Sequence, residues 1–354
     1  MARYIILRDG NAGFRSRGTS LESGLSAAVP PRPLIETADL GPAEVREATR
    51  DPGIISVARA MPTKLVETAT VEAAAGRSGQ PTWGVQAVGA DLSPFTGAGV
   101  RVCVLDTGID QGHAAFQGVM LTTRDFTGEG VHDGNGHGTH CAGTIFGRDV
   151  DGTRIGVARG VTDALIGKVL DNSGGGSSDM LFDALRWASS EGCRVISMSL
   201  GFDFPGFAAQ LQADGFPPVL ATSIALEGYR TNLRMFDALM EMMRAQAAFD
   251  GGVVVCAAAG NESARDQDPN FEVSASVPAA AFGVISVGAL GQGPAGFVVA
   301  PFSNTNPVIG EVSASPSAAS RTARPAKISV SAGIAPIRSA SLPPRMLPAA
   351  TEAP

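Results

Sequence analysis

An aspartate and a histidine stand out by where they sit. Val102-Cys103-Val104-Leu105 is a short apolar run with β-branched residues, and Asp106-Thr107-Gly108 follows at once. The pattern predicts a buried strand that ends in a carboxylate. Further on, Asn135-Gly136-His137-Gly138-Thr139-His140 runs into Cys141-Ala142-Gly143-Thr144. Small residues on both sides place His137 at the start of a helix and leave its surroundings open. A carboxylate can fix the tautomer of an imidazole, which can then draw a proton from a nucleophile. Two parts of a three-part machine are therefore present. Each also has a plainer reading. Asp-Thr-Gly is ordinary turn chemistry, and a histidine among glycines can be structural.

A metal centre competes for the same histidine. His132, Asp133, His137 and His140 lie at ligand-like spacing, and zinc sites often use two histidines of one helix face. No HExxH arrangement is present and Asp106 is left without a role, so a zinc-binding protein is a distant alternative. His140 and His113 read as structural. Cys141 lies at i+4 from His137, which brings it near the same site.

The elements that must hold these groups read as alternating apolar strands and helices. Strands are predicted at 101–105, 164–170, 194–198, 253–258 and 284–287, with helices at 179–191 and 229–249. Such alternation predicts an α/β fold, a parallel twisted sheet flanked by helices. Ahead of it, strands at 2–7, 33–36 and 54–58 and a helix at 39–50 form a small α+β module. Residues 8–30 read as loop, and 68–80 as a linker.

Composition narrows the function. The chain has 354 residues, a net charge of −7 and no basic stripe, which argues against nucleic acid. No run approaches the ~18 apolar residues of a spanning helix, which argues against a membrane partner. The N-terminus lacks the apolar core and A-x-A site of a secretory signal. This favours the cytoplasm weakly and leaves the compartment unknown. Cys103, Cys141, Cys193 and Cys256 form no CxxC pair and read as buried free thiols.

Four blocks then carry a resemblance. Val104-Leu105-Asp106-Thr107-Gly108-Ile109-Asp110, His137-Gly138-Thr139-His140-Cys141-Ala142-Gly143-Thr144, Ile196-Ser197-Met198-Ser199-Leu200-Gly201 and Ala258-Ala259-Gly260-Asn261-Glu262 occur in this order. Together they resemble the subtilisin-like serine proteases, over roughly residues 30–310. The resemblance implies an endopeptidase working through an Asp-His-Ser acyl-enzyme. Asp106 would orient and stabilise His137, the general base. Asn261 would donate to the oxyanion. Gly174, Gly175 and Gly176 on one side, with Ser199, Leu200 and Gly201 on the other, would bind an extended peptide substrate. Residues 1–80 would be an inhibitory propeptide-like module and linker, itself a partner of the peptidase domain at 81–312. Structural calcium is possible by the same resemblance, with no ligands assignable.

The nucleophile is the departure from that pattern. No Gly-Thr-Ser-Met-like segment follows Asn261, and the likeness fades after Pro307. The lone Gly18-Thr19-Ser20 lacks the continuation, and Ser329 and Ser331 lack any elbow context. Residues 313–354 are rich in Ala, Ser and Pro, with five basic residues against one Glu, a composition of disorder. The frame-shifted product of a GC-rich gene would look like this. As written, the chain is expected to be inactive. The alternative is a pseudoprotease that holds peptides without cutting them.

Overall fold

The structure is a computed structural model, and it describes residues 1–11, 32–67, 79–293 and 296–305. Most of the loop read at 8–30, most of the linker read at 68–80, and the whole 313–354 tail lie outside the described residues.

The leading unit comprises β1 (Ala2–Asp9), β2 (Pro33–Leu40), α1 (Pro42–Ala48) and β3 (Ile54–Arg59). Its antiparallel sheet has the order β2-β1-β3. β2 outruns the predicted 33–36, because β1 offers it a continuous ladder from Pro33 opposite Asp9 to Leu40 opposite Ala2. That ladder consumes the first residues expected in the helix, which begins only at Pro42. A further strand, β4 (Pro62–Leu65), leaves this sheet and belongs to another.

The second unit begins with the short α2 (Trp83–Ala87) and is organised on β5 (Val102–Asp106), every residue of which is buried. There follow β6 (Met120–Asp125), α3 (His137–Phe146), β7 (Asp163–Lys168), β8 (Gly175–Ser177), α4 (Ser178–Ser190), β9 (Val195–Met198) and β10 (Leu200–Phe202). After them come α5 (Phe204–Ala213), α6 (Pro218–Asp250), β11 (Val254–Ala258), β12 (Ile285–Val287) and the hairpin strands β13 (Leu290–Gly293) and β14 (Gly296–Val299). Six strands form one sheet, β12-β11-β9-β5-β7-β6, and every pairing in it is parallel. The fold is therefore the α/β class expected, with helices covering the sheet.

α6 starts eleven residues before the predicted 229, at Pro218. The Pro217-Pro218 pair reads as a break, yet proline fits the first helical turn, where its missing N–H would be unpaired anyway. The added turns carry Gly228, where a Cβ would meet Met61 Sδ at 3.2 Å. The helix is thus notched to receive the leading unit. Ile5, Leu7, Ile35, Ala58 and Met61 join Phe182, Leu185, Phe207, Met235 and Phe236 in one buried cluster. Polar contacts follow the same seam: Asn232 Nδ2 donates to the Arg59 carbonyl at 2.7 Å, and Ser178 N to that of Met61 at 2.9 Å.

Phe236 lies at the centre of that cluster, 0% exposed and with its ring centroid 4.5 Å from that of Phe182. Truncating it leaves a cavity that neighbours only partly fill. Phe236→Ala is expected to destabilise by about 3–5 kcal/mol, read as a lower urea midpoint with an unchanged slope.

Candidate active site

The parallel topology sets where the chemistry sits. β5 is central, so its last residue emerges at the carboxyl edge of the sheet, flanked by β7 and β9. Asp106 ends it and is 1% exposed. Nδ1 of His137, the first residue of α3, donates to Asp106 Oδ1 at 2.8 Å. The same oxygen accepts from Thr107 N at 2.8 Å. The carboxylate pins Nδ1 as a donor and leaves Nε2 turned toward another group. Burial alone would push the His137 pKa down, but the Asp106 carboxylate outweighs it and holds the imidazolium well above the ordinary histidine range.

Three further residues fix this pair. Gly138 lies so close beneath the Asp106 turn that a Cβ there would collide with the Gly108 carbonyl oxygen and stand 3.2 Å from Asp106 Cβ. Asp133 caps the helix. Its oxygens accept from Gly136 N at 2.8 Å, Thr139 N at 2.8 Å and the Thr107 hydroxyl at 2.8 Å. Burial would raise its pKa, but these hydrogen bonds prevail and hold it low. Lys168 is fully buried, and its Nζ donates to the Thr107 carbonyl at 2.6 Å and to Asn172 Oδ1 at 2.9 Å. Asn172 also accepts from Gly134 N at 3.0 Å. The buried cation therefore ties the Asp106 turn to the loops before α3 and β8.

Beside the pair lies a slot already filled. β4 runs antiparallel between β8 and β10, with Lys64 opposite Gly175 on one side and Gly201 on the other. Leu65 N donates to the Gly174 carbonyl at 2.8 Å, and Val66 N to that of Ser199 at 3.1 Å. Beyond them, Asn261 Nδ2 donates to the Glu67 carbonyl at 2.6 Å. The two peptide edges named from the sequence thus hold a strand of the chain itself.

A profile of the subtilase family matches residues 97–332, two thirds of the 354-residue chain. The chain belongs to the subtilase family. The match continues past Pro307, beyond where the block-by-block likeness fades. Among relatives, the chain is 36% identical over 141 residues to subtilisin-like protease 6 of Trichophyton soudanense, covering 34% of this chain and 33% of that protein. It is 42% identical over 123 residues to alkaline elastase YaB of Bacillus sp. (strain YaB), covering 34% and 32%. To subtilisin DY of Bacillus licheniformis it is 41% identical over 108 residues, covering 30% and 39%. The chain therefore spans about a third of the length of the curated relatives it matches first.

Among the described residues of this subtilase, His132, Asp133, His137 and His140 are not brought together as one ligand group. Asp133 is committed to the helix cap, and His137 faces Asp106 rather than His132 or His140. Among the described residues one group of three brings metal-type ligand atoms within reach of each other: Asp106, His137 and Cys141. Its nitrogen and sulfur do not make the oxygen cage that calcium takes. Cys141 Sγ lies 3.6 Å from His137 Nδ1 and 3.6 Å from Ser199 Oγ, and burial pushes its thiol up, so it is neutral. All four cysteines are free. His113 caps a short turn by accepting from Ala115 N at 3.1 Å. No helix among the described residues is long and apolar enough to cross a membrane.

Sequence reasoning missed β4, Lys168 and the cap made by Asp133. Only the last left a readable signal, an aspartate in the turn that leads into the predicted helix, three residues before its N-cap Gly136.

The His137–Asp106 pair has a pH signature. A folded pKa raised above 6.5 means that, once pH passes that value, the folded chain keeps a proton that the unfolded chain releases. The pair's contribution is fully present below about 6.5 and is lost as pH climbs through the raised value. Across pH 6.5–10, His137→Gln should flatten the alkaline fall in melting temperature. A slope equal to that of the parent chain would show that the pair is not so coupled.

Proposed function

We propose that this scaffold hydrolyses peptide bonds as a subtilisin-like serine endopeptidase. One observation carries the reading. A strand is clamped between two backbone edges with its Glu67 carbonyl on the Asn261 amide, beside a His137–Asp106 pair. In this reading Nε2 of His137 takes the proton of a serine hydroxyl and returns it to the leaving amine. Asp106 stabilises the imidazolium formed between those steps. Asn261 meets the negative oxygen of the tetrahedral intermediate. That donor is worth about 3–4 kcal/mol, a magnitude that belongs to a subtilisin and is carried over to this chain. The leading unit acts as an inhibitory propeptide, its β4 filling the slot a substrate would enter.

A second reading rests on the serine. Among the described residues no serine hydroxyl hydrogen-bonds His137, whose side-chain partners are Asp106 and Cys141. Without one, the same slot holds peptides and cuts none.

The two readings separate by experiment. The 354-residue chain is expected to take no fluorophosphonate label and to release no peptide from casein. A chain restored from a neighbouring reading frame past about codon 310, carrying a Gly-Thr-Ser-Met-like segment, is expected to do both. In it, Asn261→Leu should lower kcat by on the order of 10²–10³-fold. If neither frame encodes such a segment, the peptide-holding reading stands. Labelling of the present chain would overturn its inactivity and identify the serine.

A further inference from the structure

β4 records more than occupancy of the slot, because its side chains show what each position along it meets. Thr63 is buried against Gly176, where a Cβ would approach its Oγ1 to 2.8 Å. Val66 is buried as well. Lys64 is different. Its Nζ lies 3.2 Å from Glu262 Oε1 and 3.8 Å from Asp203 Oδ1.

Both carboxylates are held in place by the body of the protein. The other oxygen of Glu262 accepts from Asn304 Nδ2 at 2.6 Å, and Asn304 is itself buried. Asp203 caps α5, accepting from Gly206 N at 3.1 Å, while its own N–H donates to the Pro62 carbonyl of β4 at 2.9 Å. Each therefore keeps a fixed negative oxygen beside strand position 64. Glu262 also directly follows Asn261, which holds the Glu67 carbonyl. The acidic pair and the oxyanion donor are locked at a constant offset along the slot.

From this we infer that the slot selects for lysine or arginine at one place: the third residue before the one whose carbonyl sits on Asn261. Glu262 and Asp203 are the specificity-determining residues. The substrate class is peptides basic at that position, and an acidic residue there is rejected by two carboxylates at once. The inference rests on the peptidase reading for the word substrate, but the charge selection itself does not.

Hydrogen exchange of the full chain tests the selection without any hydrolysis. The amides of Leu65 and Val66 close β4 against the edges, so their exchange reports how firmly the strand is seated. Lys64→Met should speed it roughly two- to fivefold, and Lys64→Glu by more than that. Exchange in the parent chain should quicken in 0.5 M salt, whereas that of Lys64→Met should not. Lys64→Glu combined with Glu262→Lys should recover the parent rate to within about twofold. Lys64 is partly exposed, so the Lys64→Met comparison survives even if Glu262→Lys fails to fold. Equal exchange in the parent, Lys64→Met and Lys64→Glu chains would overturn the inference. In a frame-restored chain, peptides with lysine at that place should be cut several-fold faster than those with glutamate, a preference that shrinks in Glu262→Gln. Failure to cut either peptide, with the exchange differences intact, would refute the peptidase reading and leave the charge selection standing.

Discussion

The contact between α3 and the Asp106 turn governs the rest of the site. The helix can lie against that turn only because residue 138 has no side chain, a Cβ there being excluded by the Gly108 carbonyl. Any larger residue would lift the helix and carry His137 away from Asp106 Oδ1. The hydrogen bond between them tolerates a few tenths of an ångström before it weakens. Much of the surrounding structure resists such movement. Asp133 fixes the start of the helix from outside, and Lys168 pulls the Thr107 carbonyl from beneath. A buried lysine is costly unless its protons are used. Here they are spent on the loops that flank the pair.

The second organising feature is the core shared between the leading unit and the sheet domain. Among the described residues the unit is small, with one helix and three paired strands. A sheet of that size has one apolar face to cover. α4 and the notched α6 cover it, and Met61 sits where the two units meet. Seating of the unit and placement of β4 are therefore one event. The strand enters the slot because the sheet before it is anchored a few residues away, through Asn232 and Ser178.

What the sequence revealed follows from burial. β5 is buried throughout, and β9 and β11 bury alternate residues beside it in the parallel sheet; all three read as mainly apolar runs, and Asp106 and Asn261 were legible as the polar residues that end or follow them. His137 was legible because glycines isolate it. β4 was not, since Pro-Thr-Lys-Leu has no alternation and its extended form comes from the edges on either side. β6 was missed for a similar reason, being an outer strand of mixed composition. Lys168 read as one more residue of a strand, since nothing local to a lysine tells that its amine is buried. The start of α6 was hidden by two prolines that look like punctuation.

The slot that β4 fills has a consequence for the behaviour of the chain in concentrated solution. β8 and β10 are three residues each and face one another across a gap one strand wide. Their inward N–H and C=O groups are satisfied by β4 and by nothing else within that sheet. Emptied, the gap is a pair of open sheet edges, the surface through which folded proteins recruit one another's strands. The covalently attached β4 is thus also a guard on colloidal stability, since an occupied slot cannot be threaded by a neighbouring chain.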